Sequence, residues 1–251
     1  LNIIEKSNNW IASSLDGDKR LKAYRVMVNF RRQLTRKLNA IEGNPAAAIY
    51  GESQVGKSYL ISSLLSEDGS AFNILGENNT LHNFIEEINP RGDGSESTSI
   101  VSRFSVNYKP INLNYPIKSV LLSPADIVLV LCDSYYNDVK SNHELAFTTD
   151  KINEQLVMLE QKYNAANKKH TFFIEDDVLD IADYFRNNIS KASNILSSVF
   201  FQNTSLLIEK IEPRNWVDIF SLLWNGNEYF SGIFSKLIAE YEKLDFSKQV
   251  Y

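Results

Sequence analysis

Two glycines stand five residues apart in "GESQVGKSYL", residues 51–60, and a lysine and a serine follow the second at once. The spacing G-x-x-x-x-G-K-S is that of a phosphate-binding loop. Gly51 and Gly56 let the backbone wrap closely and take conformations a side chain forbids. Successive N–H groups from about Ser53 to Ser58 then converge on an anion at a helix N-terminus. Lys57 is the cation placed to reach the β- and γ-phosphates, and the Ser58 hydroxyl is placed to ligate Mg²⁺. The expected nucleotide-binding set is therefore Gly51, Glu52, Ser53, Gln54, Val55, Gly56, Lys57, Ser58 and Tyr59.

Such a loop needs a strand before it and a helix after it. "AAAIY", residues 46–50, is a short apolar run that reads as a buried strand. After the loop, Leu60, Ile61, Leu64 and Leu65 recur at helical spacing. Further on, "AFNILG" (71–76) reads as a strand and "TLHNFIEEINP" (80–90) as a helix stopped by Pro90. The polar stretch "RGDGSESTS" (91–99) then feeds an alternating segment, 100–108, which we expect to pair antiparallel with "YPIKSVLL" (115–122). A polar loop that feeds a strand downstream of a phosphate loop is where NTPases keep a switch residue. Thr98 is the candidate second Mg²⁺ ligand, from its position.

"SPADIVLVLCDSYYND" (123–138) has two readings. As a strand, the run from Ile127 to Cys132 ends in Asp133, the shape that holds a Mg²⁺ shell through a terminal carboxylate. As a helix, Ser123 is the N-cap, Pro124 the first residue, and Asp126 completes a capping box. On the residues alone the two stand level. From about residue 150 onward the pattern is helical, with Trp216, Phe220, Trp224 and Phe230 expected in a core.

The first 42 residues also read as helix. Met27, Phe30, Leu34, Leu38 and Ile41 make one apolar stripe, while Lys22, Arg25, Arg32 and Arg36 make a basic face. That face fits anionic lipid or a partner; the plainer reading, which we favour, is a solvated face balanced by acidic helices further on.

Bulk properties narrow the class. The chain has 251 residues and a net charge of −5, which predicts no general affinity for nucleic acid. No apolar run reaches the roughly 18 residues that cross a bilayer. The first ten residues are polar, so a secretory signal is not expected, and an earlier segment is compatible with Leu1 at the start. The single cysteine, Cys132, sits in an apolar run and reads as a buried thiol in a reducing compartment. The three histidines and one cysteine make no metal-ligand spacing.

In segment order the chain resembles the N-terminal region of the bacterial virulence factors called SrfC-like proteins. The resemblance rests on "GESQVGKSYLISSLL", "FIEEINPRGDGSESTSIVSRFS", "YPIKSVLLSPADIVLVLCDSYYND", "EDDVLDIADYF" and "FSLLWNGNEYFSGIFSKLIAEYEKLDFSKQVY". It implies a longer protein of which these residues are an N-terminal portion, and a distant likeness to dynamin-type large GTPases. In those a threonine at the position of Thr98, within Glu96–Thr98, binds the metal. It implies helix rather than strand for residues 124–138, because relatives carry "LLSEAD" with less β-branched residues after it. Two features of that class are missing: no D-x-x-G follows Leu122, and no N/T-K-x-D reads guanine.

The expectation is thus α/β: a P-loop NTPase-like core at 43–122, an N-terminal helical segment at 1–42 and an all-helical portion at 123–251. The expected activity is Mg²⁺-dependent nucleoside triphosphate binding with hydrolysis, of ATP or GTP. The alternative is a non-hydrolysing protein-interaction module with a vestigial loop. A protein partner or the remainder of a longer chain is expected beside the nucleotide; a membrane is a possible partner without further support. The expected compartment is cytoplasmic, with host delivery only by family resemblance.

Overall fold

The computed structural model describes residues 2–42, 47–50, 55–67, 69–89, 101–105, 109–137, 147–163, 170–189 and 192–251. Along the chain run α1 (Asn2–Ser14), α2 (Gly17–Glu42), α3 (Lys57–Leu65), α4 (Pro124–Asn137), α5 (Thr149–Tyr163), α6 (Glu175–Asn188), α7 (Ser193–Ser197), α8 (Phe200–Leu207), α9 (Trp216–Phe220) and α10 (Glu228–Lys243). The strands are β1 (Asn73–Leu75), β2 (Leu81–Asn83), β3 (Ser119–Val120) and β4 (Gln249–Val250). Two units separate: Leu1–Glu42 with Leu121–Lys248, and Gly43–Val120 with Gln249–Tyr251.

In the larger, helical unit, local signals set the helix ends. Ser123 and Asp126 form the capping box: the Ser123 N–H donates to Asp126 Oδ2 at 2.8 Å, and the Asp126 N–H donates to Ser123 Oγ at 3.1 Å. The α4 helix then buries Ile127, Val128, Leu131, Cys132 and Tyr135 on one face. This decides the 123–138 segment. It is a helix, so Asp133 ends no strand; its carboxylate accepts from Tyr184 Oη at 3.1 Å and from Asn137 Nδ2 at 2.9 Å. Burial drives the Cys132 thiol well above its ordinary pKa, as the buried-thiol reading expected.

Glu175, Asp176 and Asp177 occupy the first turn of α6, where carboxylates meet the positive end of the helix dipole. The Asn227 side chain caps α10 by accepting from the N–H groups of Tyr229 and Phe230, at 3.0 and 3.3 Å. Just before it, Gly226 takes φ +71°, and a Cβ there would stand 3.3 Å from the Phe147 ring.

The core is aromatic. Trp216, Trp224 and Phe220 are fully buried and Phe230 is 5 % exposed, as expected from sequence. Phe173 stacks on Phe220 at 5.2 Å and meets Trp216 edge-on at 5.1 Å. Neither indole N–H is stranded: Trp216 Nε1 donates to the Ile211 carbonyl at 3.0 Å, and Trp224 Nε1 to Ser231 Oγ at 2.9 Å.

The α2 helix lies on this body through charge. Arg31 donates to both Asp176 carboxylate oxygens, at 2.5 and 3.0 Å. Arg32, buried, donates to Asp180 through Nε at 3.0 Å and to Asp183 at 2.6 Å. Arg36 donates to Asp180 at 2.6 Å, and Tyr24 Oη to Glu175 at 2.7 Å. Arg32 and Arg36 of the basic face are thus balanced by an acidic helix, the plainer of the two expectations. The inward face of α2 carries Val28 and Arg32; the stripe members Phe30, Leu34, Leu38 and Ile41 are exposed.

In the smaller unit, β1 and β2 pair antiparallel with Ile74 opposite His82. Gly76 in their connection is needed for space, since a Cβ would come within 2.5 Å of the His82 ring. Phe72, Phe84 and Phe104 meet edge to face at 5.2–5.6 Å. Several expectations change here. Residues 81–83 are strand, not helix, because the Asn83 side chain accepts from the N–H groups of Ile85 and Glu86 and so starts a helical turn, Phe84–Ile88, only after itself. Segment 115–122 contributes only β3, which pairs with β4 at the other end of the sequence instead of with 101–105. Residues 47–50 are exposed and in no strand. The sheets seen among the described residues are two-stranded.

Two stability outcomes follow. Arg32→Ala removes a buried cation that serves two carboxylates, and should cost about 1–3 kcal/mol in urea denaturation. Arg36→Ala, at an exposed position, should cost less than about 1 kcal/mol. His170 stacks on Phe172 at 4.7 Å, its Nε2 lies 3.0 Å from the Ile211 carbonyl, and its Nδ1 is buried with no partner among the described residues. Burial lowers its pKa below 6.5. The folded chain therefore holds that proton less readily than the unfolded chain. The stability that His170 contributes is whole above the unfolded pKa of about 6.5 and is lost as pH falls through the folded value. Denaturation measured from pH 7.5 downward should show this loss, and His170→Phe should flatten it.

Candidate functional site

The phosphate-loop residues begin, among those described, at Val55. Val55 is exposed, and Gly56 turns with φ 90° and ψ 17°, in the left-handed region where a side chain is strained. The α3 helix starts at the next residue, so Lys57, Ser58 and Tyr59 form its first turn, and the Leu60 N–H donates to the Gly56 carbonyl at 2.9 Å. Gly56 offers no side-chain cap to the N–H groups of that turn. Lys57 and Ser58 are half-buried, and Tyr59 is exposed.

The helix packs against the Phe84–Ile88 turn. From the end of that turn, Asn89 sends its side-chain amide to the Ser58 hydroxyl, which accepts the hydrogen bond. The Asn89 N–H donates to the Phe84 carbonyl at 2.7 Å, which fixes where the amide starts from. The structure therefore brings together Gly56, Lys57 and Ser58 with Asn89, a residue that spacing alone did not single out. Its signal was weak: an asparagine before Pro90 at a predicted helix stop. Gly51, Glu52, Ser53, Gln54 and Thr98 lie outside the described residues.

Nearby, Glu87 takes a hydrogen bond from the Asn83 N–H at 3.0 Å and meets His82 Nδ1 at 2.8 Å. These contacts, the backbone one first, hold its carboxylate below the usual range. Glu87 is thereby engaged with its own turn. Among the described residues no group of three or more His, Cys, Asp or Glu side chains is placed to hold a metal. A Mg²⁺ ion that keeps its waters and leans on phosphate oxygens needs few protein ligands. The Ser58 hydroxyl, a hard oxygen held by a neutral amide at a helix start, fits that limited demand.

Among the described residues, no helix is long and apolar enough to cross a membrane. Neither the curated proteins nor the solved structures contain a match to the chain. The family described as "Putative bacterial virulence factor" matches residues 10–251, nearly the whole length. The chain belongs to this bacterial virulence factor family.

Proposed function

We propose that the chain binds a nucleoside triphosphate with Mg²⁺ through residues 51–59, as the phosphate-loop part of a SrfC-like protein of large-GTPase type. The observation that carries this reading is the G-x-x-x-x-G-K-S spacing together with a left-handed Gly56 that opens α3 at Lys57. The backbone N–H groups of the loop and of the first turn of α3 would take the phosphate oxygens. Lys57 would supply the side-chain cation on the β- and γ-phosphates. Ser58 and Thr98 would hold the metal, which when bound offsets the phosphate charge. Hydrolysis by these residues alone should be slow, because the chain carries no D-x-x-G after Leu122.

A second reading, an interaction module with a vestigial loop, draws on one observation: Ala47–Tyr50 are exposed and form no strand ahead of the loop. Calorimetric titration of ATP, GTP and their diphosphates, each with Mg²⁺, separates the two. On the nucleotide reading, Lys57→Ala loses at least roughly 2 kcal/mol of binding, the scale for truncating one partner of a buried charge contact. Thr98→Ala spares the diphosphate and weakens the triphosphate. If Lys57→Ala binds like wild type, or if neither triphosphate binds wild type, the interaction-module reading replaces the nucleotide one.

A further inference from the structure

The outward face of α2 is both apolar and basic, and we infer that it seats the protein on an anionic lipid surface. This inference is independent of the nucleotide reading. Ion pairs from Arg31, Arg32 and Arg36 to the carboxylates of α6 hold one face of the helix, and α1 packs against it as well. The opposite side presents Phe30 at 52 % exposure, Leu34 at 42 %, Leu38 at 43 % and Ile41 at 79 %.

Together with Met27 these residues fall within about 80° of arc, a band that runs about 17 Å from Phe30 to Ile41. Burying such side chains away from water favours association with an apolar layer.

Charge says what kind of surface covers the band. Residues 2–42 hold nine Lys or Arg and four Asp or Glu in a chain whose total is −5; Arg31, Arg32 and Arg36 are paired with α6, which leaves six cations. No acid occurs from Lys19 to Ile41. On the helix, Lys37 lies beside the band, and Lys19, Arg20 and Lys22 lie in the turns just before it. Apolar residues with long cationic side chains beside and before them make the pattern of a helix lying in a lipid interface, its cations reaching the headgroups. A second copy of the same face would set like charge against like charge.

The band steps 3, 4, 4, 3 through residues 27, 30, 34, 38 and 41, a mean of 3.5 residues, so its spacing does not select the occupant. A two-stranded coiled-coil seam carries both signs at its edges to set register, whereas the residues from Lys19 to Ile41 hold cations and no acid.

The test uses the full chain and sedimentation with vesicles of phosphatidylcholine, with or without phosphatidylserine. We expect binding to the anionic vesicles only, weakened by salt. The triple variant Lys19→Gln, Lys22→Gln, Lys37→Gln should lose roughly a hundredfold in affinity, at about fivefold per cation. Leu34→Ser with Leu38→Ser should lose roughly tenfold or more. All five positions are exposed, and circular dichroism checks that the variants remain helical. Salt dependence, read on wild type, needs no variant. The inference is overturned if wild type does not sediment with anionic vesicles, sediments equally with neutral ones, or if both variants bind as wild type does. It is equally overturned if, without lipid binding, Leu34→Ser breaks a dimer of the chain or abolishes capture of an acidic helical peptide.

Discussion

A line of carboxylates on α6 decides how the basic α2 helix can sit. Asp176, Asp180 and Asp183 recur at four- and three-residue spacing along one face, and Arg31, Arg32 and Arg36 meet them from the other helix. An exposed pair of this kind contributes about 0–1 kcal/mol, so no single contact anchors the helix. The buried Arg32 changes the balance. Once its guanidinium leaves water, it must keep both Asp180 and Asp183 or lose far more than a surface pair is worth. The seam thus fixes the rotation of α2. With Arg32 inward, Leu34, Leu38 and Ile41 cannot also face the body, and the amphipathic pattern of the helix is turned outward.

This arrangement reverses the usual rule that the apolar stripe of a helix marks its buried side. The stripe of Met27, Phe30, Leu34, Leu38 and Ile41 was legible in the sequence; the side that packs was not. It could have been read only by pairing two distant patterns, R-R-x-x-x-R at 31–36 and D-x-x-x-D-x-x-D at 176–183. Elsewhere in the helical unit local chemistry was enough. Ser123, Pro124 and Asp126 specify where α4 begins, and Trp216, Ile219, Phe220 and Leu222 turn inward while the Trp216 side-chain N–H finds a partner. Tryptophans with a hydrogen-bond partner nearby in sequence, as Trp216 has in Ile211 and Trp224 in Ser231, are strong anchors of a core.

The smaller unit was harder to read, for physical reasons. Its strands are two or three residues long, too short for alternation to be seen. Asn83, the last residue of β2, overrides a helical stretch of sequence by capping the turn that starts at Phe84, a local side-chain choice that periodicity averages away. The pairing of β3 with β4 joins Val120 to Gln249, and no short-range signal encodes a partner so distant. The site itself divides in the same way. The start of α3 at Lys57 behind a left-handed Gly56 was legible because a glycine just before a helical pattern is tied to one backbone shape. Asn89 was not, because its role depends on the Phe84–Ile88 turn bringing it to Ser58 from 31 residues away.

That contact bears on how a phosphate ligand would act on this unit. The α3 helix is nine residues long and buries none of them; Leu60, Leu64 and Leu65 are all exposed. Helices shorter than about 12 residues are marginal in water, and most of a helix's stability comes from packing. Among the described residues that support includes its contact with the Phe84–Ile88 turn and the bond from Asn89 to Ser58. Anionic charge at its N-terminus, where Gly56 brings no side-chain cap, would add acceptors for the N–H groups of the first turn and a counter-charge for the helix dipole, worth about 0.3–1 kcal/mol for the dipole alone. A ligand bound there stabilises whatever conformation it requires. On the proposed reading, phosphate binding and the ordering of α3 are one equilibrium, and Ser58 links it to Asn89 because one hydroxyl serves both the helix's tertiary anchor and the ligand.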